Sequence, residues 1–141
     1  MPITLTVPEG LLSPAAEAEA FAGLTDALLT VGGLRGNRFM TPNVVGSINV
    51  LPQRHLFAGG EATPVAFVEL KLPGIALATA EARQAFIARA TDVVERAAGG
   101  RLPRERIWTN IVYAEDGAWG IAGQAYTNDD LVGALQHAAA S

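Results

Sequence analysis

The chemistry in this 141-residue chain starts at its second residue. Pro2 opens an apolar stretch, Pro-Ile-Thr-Leu-Thr-Val. Processing usually removes an initiator Met that precedes a residue as small as proline. Its loss here would leave a secondary amine fixed at the end of a strand. A terminal amine titrates at about 7.7–8.0 in water, and burial lowers that value because it disfavours the cation. An amine brought near neutrality is a candidate general base or acid.

Four other side chains suit such a site. Lys71, the only lysine, can pair with an anionic group, and Asn110, a polar residue in mid-strand, can donate a hydrogen bond. Trp108 and Trp119 can wall an aromatic substrate or pack an interface. Arg54-His55 fits a surface or intersubunit contact, Arg35 and Arg38 after the first helix can reach across to a neighbour's pocket, and His137 sits in an alanine-rich tail. The glycines at 59, 60, 117, 120 and 123 read as turn residues. They form no phosphate loop, because no helix start with Lys-Ser or Lys-Thr follows them.

The elements that must position these groups are legible from pattern. Ile3, Leu5 and Val7 alternate with Pro2, Thr4 and Thr6, which predicts a strand over Ile3–Val7. Ser13 as N-cap, Pro14 at the first helical position and Glu17 in the first turn predict a helix. A second strand is expected at about Val44–Leu51 and a third at Val65–Leu72. Thr79 caps a helix to about Ala98, with Phe86, Ala90, Val93, Val94 and Ala97 on one face. A strand at Ile107–Ala114, a turn at Glu115-Asp116-Gly117 and a short strand at Ala118–Ala122 follow. Asn128-Asp129-Asp130 starts a tail helix that Leu131, Val132 and Leu135 can dock.

The chain also reads as a duplication. Thr25-Asp26 through Gly32-Gly33 echoes Thr91-Asp92 through Gly99-Gly100, and Ala20-Phe21 matches Ala85-Phe86. Pro2 matches Pro64, and Ala58-Gly59-Gly60-Glu61-Ala62 parallels Ile121-Ala122-Gly123-Gln124-Ala125. One domain over residues 1–141 is expected, with a first β-α-β unit at 2–63, a second at 64–127 and a helical tail at 128–141. Each unit requires parallel strands and a right-handed crossover. The expected class is α+β: a four-stranded mixed sheet with both helices on one face, plus short hairpin strands. Pro2, Thr4, Thr6, Phe67, Glu69, Lys71, Trp108, Asn110 and Val112 should share the other face, which fits a symmetric oligomer.

Composition excludes other classes. The formal charge of −4 and scattered arginines argue against nucleic acid or an anionic membrane surface. The absence of cysteine removes disulfides and thiolate metal sites, and His55 and His137 lie far apart, so no metal is expected. No apolar run reaches the roughly 18 residues of a membrane helix. Glu9 interrupts the start and no basic stretch precedes it, which is wrong for a signal peptide. A soluble cytoplasmic protein without a cofactor is expected.

A duplicated strand–helix–strand unit starting at Pro2 resembles the tautomerase superfamily, which includes 4-oxalocrotonate tautomerase, macrophage migration inhibitory factor, malonate semialdehyde decarboxylase and cis-3-chloroacrylic acid dehalogenase. Leu12-Ser13-Pro14-Ala15, Leu24-Thr25-Asp26-Ala27 and Arg106-Ile107-Trp108 are similar to the dehalogenase type. Gly117-Ala118-Trp119-Gly120-Ile121-Ala122-Gly123 resembles the hairpin of 4-oxalocrotonate tautomerase. The resemblance implies a homotrimer and a catalytic Pro2. It also implies helper residues that this chain replaces: arginines by Leu72 and Ile75 near Pro73-Gly74, a histidine by Leu28, a tyrosine by Asn110, and a further arginine by Leu11. The apolar replacements imply a greasy pocket around the base. The expected activity is therefore a cofactor-independent keto–enol tautomerase for a 2-oxo acid or enol with an apolar or aromatic body. The alternatives are a hydratase or decarboxylase of a small three-carbon oxo acid and a non-catalytic trimeric member.

Overall fold

Alternation builds the first strand as expected. In the computed structural model, which describes residues 1–140, β1 (Pro2–Pro8) buries Ile3, Leu5 and Val7 and leaves Pro2, Thr4 and Thr6 half-buried. Helix α1 (Pro14–Val31) is capped by Ser13, whose hydroxyl accepts from the Ala16 amide at 3.1 Å. Strand β2 (Val45–Leu51) follows, then a hairpin of β3 (Phe57–Ala58) and β4 (Glu61–Ala62). The second unit repeats this with β5 (Ala66–Pro73), α2 (Ala80–Ala97) capped by Thr79, and β6 (Ile107–Ala114). A hairpin of β7 (Trp119–Ile121) and β8 (Gln124–Tyr126) leads into α3 (Asn128–Ala140).

The sheet order is β2-β1-β5-β6, parallel within each unit and antiparallel between β1 and β5. Leu24, Leu28, Phe86, Ala90 and Val94 of the two long helices pack on Ile3, Leu5, Val68 and Leu70 in one core. Gly46 is fixed by this pairing. A Cβ there would lie 1.9 Å from the Ile3 carbonyl oxygen and 2.6 Å from the tip of the Phe21 ring.

Two expectations need correction. Strand β7 is shorter than the expected Ala118–Ala122, because Ala122 (φ 53°) and Gly123 (φ 81°) already turn the chain back to form β8. Two consecutive left-handed residues match the twist of paired strands. Gly59 (φ 60°) and Gly60 (φ 84°) do the same between β3 and β4. Val132 does not dock α3: it is exposed, while Leu131 is fully buried and Leu135 packs on the core. Thr127 and Asp130 cap that helix reciprocally, the Asp130 amide donating to the Thr127 hydroxyl at 3.1 Å and the Thr127 amide to the Asp130 carboxylate at 2.9 Å. These bonds from the Thr127 backbone and side chain hold the Asp130 carboxyl below its ordinary range.

The two units form mirrored corners. The end of α1, with Leu28 and Leu34, meets the loop after β5 at Pro73 to Leu77. The end of α2 meets the loop after β1 through Arg101, which donates to the carbonyls of Ala98, Gly10 and Leu11.

Candidate active site

The α1 corner is hollow. A cavity of about 120 Å³ is lined by Met1, Leu28, Leu34, Met40, Pro73 and Ile75, and is closed by Ala76, Leu77, Leu131 and Leu135. Apart from backbone at Gly32, every lining side chain is apolar. Met1 shares the inward parity of Ile3 and Leu5 and is only 3% exposed. Its amine donates to the Asn43 carbonyl, and its own carbonyl accepts from the Val45 amide at 3.3 Å. Burial lowers the amine's pKa from 8.0 to about 6.

Met1 also borders a second space. A groove of about 380 Å³ runs past Pro2, Asn43, Val45 and the β7 residues Trp119 and Ile121. The first residue therefore stands as a partition, with the apolar cavity on one side and the groove holding Pro2 and Trp119 on the other.

Cross-strand register places the remaining candidates. On the uncovered face Thr4 pairs with Glu69 and Glu69 with Asn110, while Thr6 pairs with Phe67 and Phe67 with Trp108. Carrying the β1–β5 pairing one step beyond Ile3–Leu70 sets Lys71 opposite Pro2. Lys71 forms an exposed ion pair with Glu69 at 3.5 Å. Asn110 is two strands and one row away from Pro2, about 12 Å by strand spacing, and Trp108 is a further row away at about 17 Å. Pro2 and Trp119 thus border one groove, with Lys71 across from Pro2 by register and outside the groove's lining. Asn110 and Trp108 share their face without reaching them in the same chain. The Trp108 and Phe67 rings lie side by side, tilted by 40° with centres 6.2 Å apart. Val45, Trp108 and Val112 leave this face exposed and apolar.

The expected greasy pocket is only partly assembled from the residues that replace the helpers. Leu28 and Ile75 line the cavity, whereas Leu72 is buried in the core and Leu11 belongs to the opposite corner, where its carbonyl is held by Arg101. Arg35 pairs with Asp26 on the surface. Several walls escaped the sequence reading. Leu77 is held in a left-handed conformation (φ 46°). The Tyr113 hydroxyl, 2.9 Å from the Ala76 and Leu77 carbonyls, and Arg83, which donates to Leu77 and Ala78, clamp its loop. Asn37 accepts from the Phe39 and Met40 amides and donates to the Leu135 carbonyl at 3.1 Å, tying α3 to the turn that carries Met40.

This fold is that of the tautomerase superfamily in its fused double-unit form. The chain is similar to Pt0534, solved as inactivated by 2-oxo-3-pentynoate, with a TM-score of 0.76, 20% identity, and 93% of this chain and 98% of that one covered. A fused 4-OT solved as a symmetric trimer superposes with a TM-score of 0.77 at 17% identity, covering 93% of this chain and 98% of that one. N1, a member of the cis-3-chloroacrylic acid dehalogenase family, gives a TM-score of 0.74 at 14% identity with both chains fully covered. No protein-family model matches the sequence, and no curated protein matches it. Among the described residues no helix is long and apolar enough to cross a membrane.

Proposed function

We propose that this chain is a cofactor-independent keto–enol tautomerase whose general base and acid is the secondary amine of Pro2, released by removal of Met1. The observation that carries this reading is the partition. Taking Met1 away leaves Pro2 as the chain end and joins the groove beside it to the apolar cavity, within the several hundred Å³ of a small-molecule site. The unprotonated nitrogen removes a proton from the carbon next to the carbonyl of a 2-oxo acid, and the electron pair moves onto the carbonyl oxygen. The reverse transfer ketonises an enol. Lys71, across from Pro2, is the proposed carboxylate anchor, and Trp119 walls the groove. The aliphatic lining selects a substrate with an apolar or aromatic body.

A homotrimer is part of the proposal. The apolar uncovered face supports it, as does the trimeric fused 4-OT of the same fold. In a trimer Asn110 and Trp108 would act at subunit contacts.

Intact-mass measurement of the cell-made protein comes first, with loss of Met1 as the expected result. Phenylpyruvate ketonisation by the Met1-free protein and by Pro2→Ala then tests the base. A loss of at least 100-fold is expected; equal rates would leave a non-catalytic protein. Pt0534 is inactivated by 2-oxo-3-pentynoate. The same alkynyl ketone should add to the Pro2 nitrogen here, labelling the first peptide and no other.

A further inference from the structure

We infer that the tail helix α3 sets the length of the apolar body the site accepts, with Leu135 and Leu131, which line the cavity, as the stop. The catalytic reading supplies the head of the substrate; the cavity alone supplies this inference about its tail. Met1 places an unbranched four-atom side chain into the apolar corner, and that side chain is the measure of what can replace it. Beyond it the cavity of about 120 Å³ has room for about four further heavy atoms, taking ~30 Å³ for each water-sized volume. A substrate tail of about eight atoms, counted from the carbon that loses the proton, would therefore reach the wall.

That wall is built to hold. Leu131 is 1% exposed, and the start of α3 is fixed by the Thr127–Asp130 cap and by the Asn128 amide, which donates to Asp116 at 2.6 Å. The Leu135 turn is tied by its carbonyl to Asn37, whose side-chain oxygen also holds the turn leading to Met40. Leu77, which shares the lining, is clamped through its carbonyl by Tyr113 and Arg83. A chain too long for the space meets ordered walls. Each methylene up to the limit should strengthen binding about fourfold. One beyond it should cost about tenfold or more.

The test uses the Met1-free protein and straight-chain 2-oxo acids with tails of two to ten carbons. Calorimetry reads binding, and deuterium exchange at the carbon next to the carbonyl reads turnover. Affinity should climb to a tail of about eight carbons and then break. Leu135→Ala should move the break about two carbons longer, and Leu135→Phe should move it shorter. Leu135 is only half-buried, so both variants are expected to fold, and circular dichroism checks that they do. A break unmoved in both variants, no break at all, or no binding by any acid overturns the inference. If binding breaks and shifts as stated while Pro2→Ala exchanges as fast as the parent, the wall stands and the catalytic reading falls. If Pro2→Ala abolishes exchange while the break stays fixed, the reverse holds.

Discussion

Removing Met1 is the sharpest perturbation the structure offers, because the residue is both a core side chain and a cap on Pro2. Two forms of the protein, starting at Met1 or at Pro2, can be released from intein fusions. Met1 is 3% exposed, and deleting a buried side chain of this size costs about 2–5 kcal/mol once the cavity left behind is included. The bond from its amine to Asn43 adds about 1 kcal/mol. Relief of the desolvated amine offsets part of this. The Pro2 form should therefore be less stable by about 2–4 kcal/mol, a fall of roughly 6–12 °C in Tm for a chain of this size. Urea denaturation measures the difference directly. A 2-oxo acid of fitting tail at 100 times its Kd should restore about 2.7 kcal/mol to the Pro2 form only. Equal stability of the two forms within about 0.5 kcal/mol would show that Met1 is not packed as described, and the argument from the partition would go with it.

In the Met1 form the amine's folded pKa of about 6 lies below the unfolded 8.0, so its contribution is full above pH 8 and is lost as pH falls through 6. With allowance for solvent reach this amounts to about 1–2 kcal/mol between pH 8.5 and 5.5. An N-formylated chain, which cannot titrate there, should lack that part of the urea-midpoint shift. Gly46→Ala should destabilise by about 3 kcal/mol or more, because its Cβ would overlap the Ile3 carbonyl; a thermal-melt cost below about 1 kcal/mol would refute the stated β1–β2 approach. Tyr113→Phe removes the hydroxyl that holds the Ala76 and Leu77 carbonyls and should cost about 1 kcal/mol. It should also raise KM for apolar substrates several-fold with kcat little changed, as steady-state kinetics would report. Val112→Asp places a charge on the exposed apolar face and should shift sedimentation from the proposed trimer to monomer, while circular dichroism stays unchanged.

The fold was legible because its signals are local. Alternation in β1, the caps at Ser13 and Thr79 and the repeated glycine pairs each act within a few residues, and all lie where expected. The candidate site was legible only in part. Parity along β6 gives the face that Asn110 and Trp108 share with Pro2, but the row is fixed by the pairing of β6 with β5 and of β5 with β1. That register is a tertiary fact, and it separates both residues from Pro2. Leu11 failed for a related reason: replacing a charged helper by leucine says nothing about which end of a strand the leucine will border. Leu131 and Leu135 carried a visible helical spacing, yet a spacing cannot tell a docking contact from the wall of a cavity. Asn37 left no signal beyond a polar residue in a turn, since its partner Leu135 is 98 positions away.

The mirrored corners bear on how many reactive ends such a protein can own. Pro64 matches Pro2 at the head of the second unit, but it sits mid-chain, where its nitrogen is an amide without basicity. A pair of unlinked halves would present two amino ends; the joined chain presents one. The corner away from the proposed site is the one Arg101 braces, through the carbonyls of Gly10 and Leu11.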